Sequence, residues 1–143
     1  MRAKWWVAVA IVFLVFAYTQ IMHVGVNRDS VIDLVYLGGP DCPYCRKWEA
    51  SELPRLREMP DYRHIRFTHV PKVINSPVPD KTRLPSHLAP MYDEMIRQTR
   101  GRSGSPQFVL LVDGRAVDGG FGTPAYHRLL PTMSELVARK LGG

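Results

Sequence analysis

The chain has 143 residues, enough for one domain with a proper core and too few for two ordinary ones. Its formal charge of +6 is interspersed with acids, with no like-charged run or basic–aromatic stripe, which argues against nucleic acid as a partner. Two cysteines leave no extra pair for stapling a fold, so a disulfide scaffold is excluded as well.

Arg2 and Lys4 precede an uncharged stretch from Trp5 to Asn27. As a helix that stretch would extend about 34 Å and could cross a bilayer. Its most apolar part, Trp5 to Tyr18, also has the length of a signal-peptide core, and Val15-Phe16-Ala17 offers a cleavage site after Ala17. The uncharged length favours an uncleaved anchor. On either reading Arg2 and Lys4 keep the leading end cytoplasmic, so the remainder is exported. Residues 1–27 are therefore expected to be a membrane anchor or signal segment, with contact to the membrane through residues 5–27. Residues 28–143 should form the domain, on the periplasmic side in a bacterium and free in the periplasm if the signal is cut.

Val31 to Leu37 is β-branched and apolar, as a buried strand is, and Gly38-Gly39-Pro40-Asp41 breaks it. Cys42 to about Met59 reads as a helix, with Trp48, Leu56 and Met59 near the face that carries Cys45; Pro54 is expected to kink it or end it early. His64 to Val70 alternates as a second strand. Pro71, Pro77, Pro79, Pro85 and Pro90 forbid a long regular element between them, and the stretch resembles an insertion. Leu88, Tyr92, Met95 and Ile96 mark a second helix, stopped by Gly101. Phe108 to Val112 and Arg115 to Asp118 form a hairpin about Asp113-Gly114. Thr123 is expected to cap, and Pro124 to open, a last helix that Pro131 interrupts. The order is β-α-β-α-β-β-α, with the first two strands parallel.

The two cysteines stand as Cys42-Pro43-Tyr44-Cys45 between a strand and a helix. A bridge closing so small a loop constrains the unfolded chain little, so a catalytic pair is favoured over a structural one. Disulfide exchange needs a thiolate, and a free cysteine, with a pKa of about 8.5, is mostly protonated at neutral pH. Placing Cys42 at a helix N-terminus lets unpaired amides and the helix dipole stabilise the anion. Pro43 suits the first turn, where its missing N–H is not needed. Arg46 and Lys47 help modestly, and Asp41 opposes them. Cys42 is then the attacking sulfur and Cys45, more buried, the resolving one. The alternative is a pair of metal ligands, but His23, His64, His69, His87 and His127 show no partner spacing, so no metal is expected.

These residues resemble the thioredoxin-like superfamily, and Cys42-Pro43-Tyr44-Cys45 is a glutaredoxin-type active site. Ser105-Pro106-Gln107-Phe108, Asp113-Gly114 and Gly119-Gly120 follow in the family's order. The resemblance implies an α/β thioredoxin-like fold, with a mixed four-stranded sheet flanked by helices, preceded here by the N-terminal transmembrane or signal helix. It implies a cis Ser105–Pro106 bond facing Cys42, with the Ser105 backbone pairing an extended substrate. Pro43, Tyr44, Ser105 and Pro106 are the expected client-binding residues; Trp48 is expected in the core. Leu37 to Asp41 lack the lysine, and Phe121-Gly122-Thr123 the acids, that glutathione-binding glutaredoxins carry, so glutathione is not an expected partner. Tyr36 stands where thioredoxins place a buried aspartate, which leaves proton transfer to Cys45 to another group, such as water; His69 and His127 are read as satisfied or solvated. The expected activity is thiol–disulfide oxidoreduction on protein cysteines, served by a separate redox partner and no cofactor. A non-enzymatic metal- or peptide-binding module on the same scaffold is the alternative.

Overall fold

The computed structural model describes residues 25–143. Nearly all of the expected anchor or signal segment lies outside that range. No helix among the described residues is long and apolar enough to cross a membrane.

Strand β1 (Ile32–Gly38) is buried along its whole length. Helix α1 (Pro43–Glu58) follows, then a short 3-10 helix at Pro60–His64 and strand β2 (Arg66–Pro71). Two further 3-10 turns lead into helix α2 (Tyr92–Thr99). The hairpin β3 (Gln107–Val112) and β4 (Arg115–Phe121) precedes the long helix α3 (Gly122–Gly142). The strand order is β2-β1-β3-β4. β1 runs parallel to β2 and antiparallel to β3, and β3 is antiparallel to β4. This mixed four-stranded sheet is the thioredoxin-like arrangement that the sequence resembles.

Alternation along β1 and β3 builds two cores. Ile32, Leu34, Tyr36, Phe108, Leu110 and Val112 join residues of α1 and α3 on one face. Val35, Leu37, Val109 and Leu111 join Met95 of α2 on the other. The proline-rich stretch supplies Val78, Leu84 and Leu88 to this second core and so serves as structural cover. The hairpin closes on Asp113 and Gly114, with φ of 50° and 80°, the doubly left-handed turn that matches strand twist.

Expectations at Thr123 and at the start of β2 are corrected; at Pro54 and Pro131 the early end is corrected, though not the kink. Neither Pro54 nor Pro131 ends its helix. Both prolines are exposed, as are Ala50 and His127, the residues four positions earlier whose carbonyls lose a partner, so water can satisfy them. Beyond each proline the chain still buries apolar residues, Leu56 in α1 and Met133, Leu136 and Val137 in α3. Thr123 is not a cap: α3 begins at Gly122, after Phe121, with no side-chain capping bond. His64 and Ile65 precede β2 rather than starting it.

Candidate active site

β1 ends at Gly38, and Cys42 occupies the N-cap of α1 with extended backbone angles. Pro43 opens the helix, and the first turn carries no acidic residue to oppose a negative sulfur. The Cys45 backbone N–H donates to Cys42 Sγ at 3.1 Å, the bond a capping side chain makes. The two cysteines form a disulfide, with Cα atoms 5.2 Å apart. Both are fully buried, at 0% exposure, so the expected difference in burial between them is absent in this oxidised form. The bonded sulfurs belong to the same core cluster as Tyr36 and Trp48, against which Ile74 also packs.

The surroundings hold the site from three sides. Asp41 accepts the Ile74 N–H at 2.9 Å, and Lys72 N–H donates to Gly38 O at 3.1 Å, so the chain after β2 is latched beside the cysteines. Arg46 donates to Pro40 O at 2.6 Å, across the turn before the helix. Tyr44 projects outward at 68% exposure, and Pro43 is exposed too. Trp48 is core, with ring centroids 4.5 Å from Tyr36, 4.9 Å from Phe108 and 5.1 Å from Tyr126.

The Ser105–Pro106 bond is cis. Pairing of Leu37 with Gln107 brings it to the end of the sheet from which Cys42 departs. Ser105 Oγ is buried with no hydrogen-bond partner among the described residues, while Pro106 O accepts the Gly122 N–H at 2.8 Å. Just before this bond, Gly104 O accepts from Lys72 Nζ, which also donates to Ser76 O at 2.9 Å. Lys72 is only 5% exposed, and burial pushes its ammonium down to about 8. A cavity of about 650 Å³ opens beside it, lined by Val73, Pro77, Val78, Asp80, Arg83 and Tyr92 among others.

Two groups escaped the sequence. Tyr36 is fully buried, and its hydroxyl donates to Glu49 Oε1 at 2.7 Å. Burial, then the bond to Glu49 and its charge, push the phenol well above its usual range, so it stays neutral. A Cβ placed on Gly38 would lie 2.5 Å from Tyr36 Oη and 2.8 Å from Cys45 Sγ. Hydroxyl and sulfur thus flank one point, and only glycine leaves room for both. The available signal was spacing: Glu49 follows Cys45 by four residues, one turn along the same helix face. His69 stacks on Tyr36 with centroids 4.7 Å apart and its Nε2 pairs with Gly38 O at 3.0 Å, whereas His127 pairs with Glu52 at 3.3 Å. No group of three or more potential metal ligands occurs among the described residues.

No sequence-family profile matches the chain, and no curated protein does. Among solved structures, it is similar to the reduced periplasmic thioredoxin SoxS from Paracoccus pantotrophus, at 19% identity and a TM-score of 0.47, over 76% of this chain and 97% of that one. Trxlp from Edwardsiella tarda matches at 22% identity and a TM-score of 0.45, over 82% and 90% of the two chains. A thioredoxin from Thermus thermophilus matches at 18% identity and 0.40, over 77% and 76%. The thioredoxin-like assignment stands on the strand order, the disulfide at the helix N-terminus and the proline before β3.

Proposed function

We propose that the chain is a thiol–disulfide oxidoreductase that exchanges its Cys42–Cys45 disulfide with cysteines of client proteins. The observation that carries it is the amide of Cys45 donating to Cys42 Sγ at the mouth of α1. In the reduced protein that donor and the helix dipole meet a thiolate on Cys42, holding it ionised where a free thiol is not. Cys42 Sγ attacks one sulfur of a client disulfide and the other leaves as a thiolate. Cys45 Sγ then attacks Cys42 Sγ, the client's remaining sulfur departs, and the intramolecular disulfide is restored. Client oxidation runs the same steps backwards. Pro43 and Tyr44 offer exposed client-facing surface, the backbone at half-buried Ser105 offers the pairing edge, and Pro106 lies buried behind it.

The export pattern supports a domain held outside the cytoplasm by residues 5–27, where a separate redox partner resets the pair. Reduction of insulin by dithiothreitol tests the activity: wild type accelerates it and Cys42→Ser does not. Equal rates for the two would reduce the disulfide to a structural bridge. Equilibration with glutathione buffers gives the direction of flow, with a potential near about −270 mV marking a reductant and near about −120 mV a strong oxidant.

A further inference from the structure

Resting on the exchange chemistry above, we infer that Tyr36 and Glu49 form the proton path of the resolving sulfur, with the Tyr36 hydroxyl as the link between Cys45 and the Glu49 carboxylate. Cys45 is fully buried, and as a thiol it must lose a proton before it can attack. Water has little access to it. Tyr36 Oη stands near its sulfur: a Cβ on Gly38 would lie 2.5 Å from that hydroxyl and 2.8 Å from Cys45 Sγ, colliding with both. That hydroxyl already donates to Glu49, a half-buried residue one helical turn from Cys45 that opens toward solvent.

The step balances without another reagent. The Cys45 S–H proton passes to Tyr36 Oη as the Tyr36 proton passes to Glu49 Oε1. The Cys45 thiolate attacks Cys42 Sγ, the bond between Cys42 and the client sulfur breaks, and the client departs as a thiolate. Glu49 then returns its proton to water. Tyr36 remains neutral before and after, as its raised pKa requires. Other titratable groups face this cluster: His69 from β2, stacked on Tyr36, and Tyr126 from α3, beside Trp48, with Glu52 and His127 beyond it. None of these is seen to hydrogen-bond to Tyr36 Oη, whose bond goes to Glu49.

The test uses the reduced full chain and dithiobis(nitrobenzoate), whose two thiolates report two steps. The first leaves when Cys42 captures the reagent and the second when Cys45 resolves the mixed disulfide. In Tyr36→Phe, which keeps the ring stack, and in Glu49→Gln, which keeps the planar shape of the carboxylate, the second phase at pH 7 falls ten- to hundred-fold. The deficit shrinks about tenfold per pH unit as bulk hydroxide takes over toward the thiol's own range of about 8.5. The double variant loses no more than the worse single one, as members of one path do. An unchanged second phase in both variants overturns the inference. So does equal loss in both phases, the mark of a merely structural role, or a loss reproduced by His69→Gln but absent in Tyr36→Phe. A wild type with no first phase refutes Cys42 as the attacking sulfur, a separate failure that removes the exchange chemistry itself.

Discussion

The two faces of the sheet are built from different materials. The face under α2 and the proline-rich stretch buries Val35, Leu37, Val70, Val78, Leu84, Leu88, Met95, Val109 and Leu111, aliphatic or thioether side chains throughout. The face under α1 and α3 buries Tyr36, Trp48, Phe108 and Tyr126 together with both cysteines. One face seats the sheet against its cover. The other surrounds a sulfur pair with aromatic rings and carries a hydroxyl–carboxylate pair to its edge. Stability and chemistry are therefore separable by face, and substitutions on each should show it.

The largest effect is expected from Leu88→Ala, which opens a cavity in the aliphatic face and costs about 2–5 kcal/mol by chemical denaturation. Folded molecules of this variant should retain wild-type insulin reduction; an equal loss of rate would join the two faces into one unit. Lys72, at the border between them, comes next. Its folded pKa of about 8 lies below its unfolded value, so the unfolded chain binds more protons above pH 8. Stability of the oxidised protein should then rise by about 2 kcal/mol from pH 8 to 9.5, and Lys72→Met should flatten that rise. Denaturation midpoints at half-unit intervals measure it. At still higher pH the raised phenols of Tyr36 and Tyr126 act in the opposite sense, because the unfolded chain loses those protons first.

Gly38→Ala sharpens the contrast on the chemical face. Its methyl group must displace Tyr36 Oη or Cys45 Sγ, at a cost of about 1–3 kcal/mol. Release of the second nitrobenzoate thiolate should slow as well, and a stable variant with normal release would show the crowding to be harmless. Smallest is Thr123→Ala, expected within about 0.5 kcal/mol because Thr123 caps nothing. A cost near 1 kcal/mol would restore it as a helix cap.

The order of elements was legible because each carries a local signal: a continuous apolar run in β3, a turn pair at Asp113-Gly114, and a cysteine–proline start to α1. Cys42, Cys45, Tyr44 and the cis Ser105–Pro106 bond were legible for the same reason, as local motifs in a known order. What escaped depends on partners distant in sequence. Pro54 and Pro131 look disruptive until the exposure of the carbonyls they orphan is known. Tyr36 looks like a lost aspartate until Glu49 is found at its hydroxyl. The proline-rich stretch reads only as irregular because its buried residues Val78, Leu84 and Leu88 follow no period, and only the sheet explains their choice.

That last feature bears on how this scaffold could be trimmed. A chain shortened across 72–90 would lay bare Leu37, Val109 and Leu111. It would exchange solubility for self-association, since a broad uncovered aliphatic patch seeks another surface. The Asp113-Gly114 turn is no freer for changes of length: Asp113 N–H donates to Val31 O at 2.9 Å, its carboxylate accepts the Val31 N–H at 2.8 Å, and Gly114 is half-buried.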